Sequence, residues 1–240
     1  MFGKKGKNKL MRNILLAPSL LGADPLNIND SIKSLENNFD WLHLDIMDGH
    51  FVKNLSFGPQ FAKALRSEYP DAFIDAHLMT NDLDVVLPLF IEQKPALITV
   101  HAEAEGHLLH ESLRKIKNAG IKAGVALCPP TKVSSIDEEI LANADLILIM
   151  SVTPGFGGQK FIEGSLRKVR ELVSLRAVHN YNYLIEIDGG INENNIIKVA
   201  LAGCDVIVAG SAVFKSGEPG EWLARAKHNI EEAVKNFDRT

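Results

Sequence analysis

Residues 73–101, FIDAHLMTNDLDVVLPLFIEQKPALITVH, hold the reading that decides the fold. Residues 73–78 have the apolar, β-branched character of a strand. Residues 82–93 carry a helical period, and Asn81 or Asp82 can cap it. Residues 96–101 return to strand character and end in a histidine. Strand, helix, strand within about 30 residues is the unit of a parallel sheet.

The same alternation extends in both directions. Strands are predicted at 14–19, 41–46, 73–78, 96–101, 121–127, 145–151, 183–188 and 205–209. Helices are predicted near 27–38, 59–68, 82–93, 107–118, 135–143, 161–179, 192–202 and 219–236, with Gly120 closing the fourth and Asn192 opening the seventh. Eight such units suit a closed (β/α)8 barrel, the TIM-barrel architecture, in one α/β domain spanning 14–240. An open doubly wound sheet would want a GxGxxG turn after the first strand, where this chain reads Ser19-Leu20-Leu21-Gly22. Residues 1–13, MFGKKGKNKLMRN, are basic and poor in apolar residues, so they read as a disordered tail without a secretory h-region.

Composition excludes several classes. The 240 residues are 46% hydrophobic and 23% charged, with a net charge of −4. That balance argues against a nucleic-acid partner held by a broad basic surface. No apolar run reaches the ~18 residues of a membrane span. Two cysteines, Cys128 and Cys204, form no disulfide framework and no CxxC metal knuckle, which suits a reducing cytoplasmic location.

Polar residues sit where barrel strands should be apolar, and they cluster at strand C-terminal ends, where barrel active sites lie. Side-chain alternation puts His43, Asp45 and Met47 on one face. It does the same for Asp75, His77 and Met79, and for Glu186 and Asp188. If these faces point inward, His43, Asp45, His77 and Asp188 converge as a mixed nitrogen and oxygen ligand set. Such a set suits one divalent metal ion: zinc, iron, manganese or cobalt. Met47, Met79 and Met150 fall at strand ends and make a candidate apolar lining, although Met150 has parity opposite to Ile149 and its direction is open.

Three glycine-rich turns follow the last three strands. They are Thr153-Pro154-Gly155-Phe156-Gly157-Gly158, Asp188-Gly189-Gly190 and Ala209-Gly210-Ser211. Glycines let backbone N–H groups approach an anion, and barrels bind phosphate at these loops. No lysine of the nucleotide-binding kind follows the GFGG run. The expected partner is a small phosphorylated molecule.

HLDIMDGHFVKNLSFGP (43–59), DAHLM (75–79), MSVTPGFGGQKF (150–161), IDGGI (187–191) and AGSAVF (209–214) together resemble the ribulose-phosphate 3-epimerase family over essentially all of the chain after residue 13. The resemblance implies interconversion of D-ribulose 5-phosphate and D-xylulose 5-phosphate in the pentose phosphate pathway. It implies a divalent metal held by His43, Asp45, His77 and Asp188, and no organic cofactor. Asp45 and Asp188 match the acid/base pair. Ser19 and His77 match substrate-contacting residues, and Met47, Met79 and Met150 match the methionine lining. Gly155, Phe156, Gly157, Gly158, Gly189, Gly190, Gly210 and Ser211 match the phosphate-binding turns. Relatives assemble as dimers or larger homo-oligomers, so a homo-oligomer is expected. Lys53 and Thr153 depart from the family's usual proline and asparagine, and neither is a ligand position.

Physically, epimerisation at C3 of a 2-ketose removes the proton beside the carbonyl and returns one to the opposite face, through a cis-enediolate. Two carboxylates flanking C3 and a Lewis acid at its oxygens meet that need. An allulose-6-phosphate 3-epimerase shares most of these residues and is the alternative within the class. A non-catalytic phosphosugar-binding protein would not need the complete ligand set. Orotidine-phosphate decarboxylation resembles DxKxxD, and Met47 stands in the lysine slot. His101 with Glu103 reads equally as support behind the ligands or as a capped loop.

Overall fold

Eight parallel strands form one sheet: β1 (Leu15–Pro18), β2 (Trp41–Met47), β3 (Phe73–Met79), β4 (Leu97–His101), β5 (Lys122–Leu127), β6 (Leu146–Met150), β7 (Leu184–Asp188) and β8 (Val206–Ala209). The computed structural model describes residues 13–104 and 109–237. Strands pair in chain order from β2 to β8, and β8 pairs back onto β1. A parallel bridge between Ser19 and His43 joins the β1 end to β2 and closes the ring. The strand boundaries agree with the sequence expectation to within one or two residues. Most of the expected tail, 1–12, lies outside the described residues, as does the expected start of the fourth helix, including His107.

Alternation along each strand sorts the side chains into two environments. Leu42, Leu44, Ile74 and Leu78 face outward and are almost wholly buried under the helices. Each such side chain stabilises the fold by about 1.5–3 kcal/mol through burial. The opposite set points into the barrel. Its floor is apolar, with Leu15, Leu97, Leu146, Leu184 and Val206 around a stacked pair, Trp41 and Phe73, whose ring centroids lie 4.2 Å apart. Above this floor come the buried polar residues His43, Asp75, Thr99 and Glu186, and above them Ser19, Asp45, His77 and His101.

Helices cover the outside: α1 (Ile28–Lys33), α2 (Pro59–Glu68), α3 (Leu83–Ile91), α4 (Leu109–Asn118), α5 (Glu138–Asn143), α6 (Ser165–His179), α7 (Ile196–Ala202), α8 (Ser211–Phe214) and α9 (Pro219–Phe237). Asp82 caps α3 through the N–H of Val85, and Asp137 caps α5 through that of Ile140. Gly120 takes φ +77° after α4. Asn192 accepts from the N–H of Asn194 just ahead of α7.

Three departures from the expected helices have local causes. α1 stops at Lys33, five residues early, because Glu36 and Asn37 adopt left-handed φ of 53° and 58° and turn the chain toward β2. The expected start of α6 at 161 is delayed to Ser165, since the Ile162 N–H bonds to the Ser151 carbonyl and holds that segment against the β6 loop. α8, a single turn after β8, adds to the eight expected helices and carries Gly210 at its N-terminal edge.

Candidate active site

The upper rim of the barrel holds the polar cluster predicted from strand parity. His43, Asp45, His77 and Asp188 each offer a ligand atom, and these atoms all lie within 4.8 Å of one another. The register explains the grouping. His43 on β2 pairs with Asp75 on β3, and Asp45 pairs with His77, so the two imidazoles and Asp45 stand on neighbouring rungs. Asp188 ends β7 on the opposite wall.

Hydrogen bonds orient each member. Ser19 Oγ donates to Asp45 Oδ2 at 2.6 Å. The other oxygen, Oδ1, faces His77 Nδ1 at 3.2 Å and His43 Nε2 at 3.4 Å. His43 Nδ1 lies 2.6 Å from Asp75 Oδ2. A carboxylate only accepts, so Nδ1 carries the proton and Nε2 is turned toward Asp45. That Nε2 is fully buried and meets no hydrogen-bond partner. An orphaned buried nitrogen beside a carboxylate oxygen is costly unless something bridges them.

A divalent cation satisfies this geometry. Ligand atoms about 2.1 Å from a tetrahedral ion stand about 3.4 Å apart. The separations from Asp45 Oδ1 to the two imidazole nitrogens match that edge length. The donor set is two imidazoles and two carboxylates, without thiolate, which suits a borderline transition metal. The residues present could hold such an ion.

Electrostatics pull the two carboxylates apart. Burial works against charge on Asp45, yet His43 and His77 outweigh it and hold Asp45 well below the usual carboxylate range. Burial and the neighbouring Asp45 charge push Asp188 up to about 7. His43 is opposed by burial but held well above its ordinary value by Asp75 and Asp45. Burial lowers His77 to about 4. Two carboxylates in one site with separated proton affinities are suited to opposite acid and base roles.

Above the cluster opens a cleft walled by Ser19, Asp45, Asp188, the three methionines and the three glycine turns. Met150 points inward with Met47 and Met79, which resolves the direction its parity left open. Gly155, Phe156, Gly157, Gly158, Gly189, Gly190, Gly210 and Ser211 all line this cleft. His43 and His77 lie beneath its floor, fully buried, rather than on its wall. Gly190 has φ +68°, and a Cβ there would stand 2.6 Å from the Phe161 nitrogen. Only glycine lets the β6 and β7 loops approach so closely. Asn54 Nδ2 donates to the Gly155 carbonyl at 2.7 Å and ties the β2 loop to the glycine run.

Three supporting residues received no role from the sequence. Asp75 orients His43, although the alternation that singled out His77 places it on the same face. Glu186 lies 3.6 Å from His43 Nδ1, wholly buried, and burial beside Asp75 pushes its pKa well above the usual range. Cys128 stands 3.4 Å from His101 and forms, with His101 and Glu103, a second cluster of potential ligands.

Known proteins are similar to the chain over most of its length. The family model described as ribulose-phosphate 3 epimerase family matches residues 15–214. The chain is 47% identical to ribulose-phosphate 3-epimerase of Aquifex aeolicus over 201 residues, covering 83% of this chain and 89% of that protein. It is 42% identical to the Escherichia coli enzyme of that name over 205 residues, covering 85% and 90%. Among solved structures, 3-hexulose-6-phosphate synthase from Salmonella typhimurium superposes with a TM-score of 0.69 at 16% identity, covering 92% of this chain and all of that one. 3-Keto-L-gulonate-6-phosphate decarboxylase from Vibrio cholerae gives 0.65 at 15% identity, covering 94% and 99%. At such identity these two structures speak for the barrel alone.

Proposed function

The chain belongs to the ribulose-phosphate 3-epimerase family, and from that premise we propose that it interconverts D-ribulose 5-phosphate and D-xylulose 5-phosphate by two-carboxylate proton transfer at C3. The observation that carries this reading is the placement of Asp45 and Asp188. They rise from β2 and β7, line one cleft, and belong to one four-residue ligand cluster. A ketose phosphate laid across the cleft presents opposite faces of its C3 to them.

Each residue then has a physical task. Asp45, ionised and fixed by Ser19, takes the C3 proton of ribulose 5-phosphate. Asp188 returns a proton to the other face, and the reverse reaction exchanges the two roles. The C3–H bond breaks as the enediolate forms, and the enediolate collapses when the new C3–H bond is made, so no electrons leave the substrate. His43, Asp45, His77 and Asp188 would hold the divalent ion, which supplies positive charge beside the substrate oxygens where negative charge grows. The glycine turns after β6, β7 and β8 and the edge of α8 would grip the phosphate through backbone N–H groups. Met47, Met79 and Met150 exclude water around the reacting carbon.

The experiment is a coupled epimerase assay on ribulose 5-phosphate with wild type, Asp45→Asn and Asp188→Asn. General acid–base catalysis is worth about 10²–10⁴-fold, so either substitution should lower kcat by at least that factor. Near-wild-type turnover in either variant refutes the assignment.

A further inference from the structure

We propose that Glu103 and His101 are positioning residues that fix the tautomer of His77 and aim its Nδ1 at the cation site. The inference rests on the metal reading above and adds a chain of groups behind it.

Four observations build the chain. His101 is buried at the end of β4, and its Nε2 lies 2.8 Å from His77 Nε2. Its Nδ1 lies 3.0 Å from Glu103 Oε2. The second oxygen of Glu103, Oε1, accepts from the Cys128 N–H at 2.8 Å, so the carboxylate is held from both ends. The Phe51 ring packs over His101, with centroids 4.6 Å apart, and restrains the imidazole plane.

The proton positions follow from donor and acceptor chemistry. Ionised Glu103 can only accept, so His101 Nδ1 carries a proton. In the relay, His101 Nε2 is the acceptor. Two imidazole nitrogens at 2.8 Å need one donor, so His77 Nε2 carries the proton. That leaves His77 Nδ1 bare, and Nδ1 is the atom that faces Asp45 Oδ1 at 3.2 Å. The opposite arrangement would set a bare His101 Nδ1 against the Glu103 carboxylate with nothing to bridge them, whereas a cation held at the proposed site bridges the bare His77 Nδ1 and Asp45 Oδ1. Metal-bound histidines commonly donate their other N–H to an oxygen acceptor. Here an imidazole takes that place, and the carboxylate sits one group further out.

The same logic runs on the other side, where Asp75 fixes His43. The two relays differ in access. Asp75 is sealed in the barrel, whereas the Glu103 side chain is 24% exposed. Glu103 is therefore the end of a relay that a substitution can probe without opening the core.

The test is the affinity of the metal-free chain for Zn²⁺, by titration against a competing chelator, together with long-range ¹⁵N–¹H spectra of the imidazoles. Loss of such a partner costs about 10–100-fold in metal affinity. His101→Leu should bind Zn²⁺ that much more weakly and lose the Nε2-protonated signature of His77. His101→Gln, whose amide oxygen can accept from His77 Nε2–H, should stay within a few-fold of wild type. Glu103→Ala, at the exposed end, should weaken binding about tenfold and serves if His101→Leu misfolds. Equal affinity of wild type and the Leu and Ala variants, or His77 protonated on Nδ1 in the metal-free wild type, overturns the relay. A wild type that binds no Zn²⁺, Mn²⁺, Co²⁺ or Fe²⁺ overturns the metal reading itself.

Discussion

Gly190→Ala tests the glycine turn against its neighbours. The residue sits at φ +68°, and an added Cβ would lie 2.6 Å from the Phe161 nitrogen, 2.8 Å from the Gln159 carbonyl oxygen and 2.9 Å from the Phe161 Cα. All three are backbone atoms, so no side chain can swing away. Left-handed backbone costs a non-glycine residue about 1–2 kcal/mol, and overpacking costs about 1–3 kcal/mol. Together these give a loss of about 2–5 kcal/mol. For 240 residues the unfolding entropy is about 0.5 kcal/mol/K, so Tm should fall by about 4–10 °C. Relief requires the segment 159–161 to retreat from the cleft, so KM for ribulose 5-phosphate should rise. Gly164→Ala is the control, outside the cleft, with φ −60° and only the end of the Arg167 side chain within 4 Å of its Cβ. Differential scanning calorimetry and steady-state kinetics on both variants read the outcome. If Gly190→Ala and Gly164→Ala prove alike in Tm and KM, the close-approach reasoning is wrong.

Other outcomes follow from the same geometry. In D₂O, product formed from unlabelled ribulose 5-phosphate should carry solvent deuterium at C3, as measured by NMR; transfer of the original hydrogen would contradict two separate carboxylates. Exhaustive chelation should abolish turnover and lower Tm, and readdition of a divalent transition metal should restore both; full activity in metal-free protein would rule out the Lewis-acid role. Glu103 supplies a pH signature. Burial raises its pKa, but hydrogen bonds from His101, Thr131 and the Cys128 N–H outweigh burial and bring it to about 2, below the ordinary 4.5. A lowered carboxylate pKa favours the folded state above the unfolded value. The stability difference between wild type and Glu103→Gln should therefore be constant above about pH 5 and shrink as pH falls from 4.5 toward 2, as measured by urea denaturation.

Much of this protein was written locally in its sequence. Strand alternation is a property of successive residues, so His43 with Asp45, Asp75 with His77, and Glu186 with Asp188 were each legible as sharing one strand face before any strand was paired, and the fold then turned those faces inward. The glycine turns announced themselves because left-handed and close-approach backbone demands that residue type. What required the tertiary structure was which atom meets which. The β2–β3 register sets His77 beside Asp45 and Asp75 beside His43, and register is a long-range choice between segments thirty residues apart. The bridge of Ser19 to His43, the inward turn of Met150 and the contact of His101 with His77 arise the same way. A sequence orders residues along one dimension, whereas a tautomer, an orphaned nitrogen or a shifted carboxyl pKa is decided by neighbours that only the closing of the barrel brings within 3–4 Å.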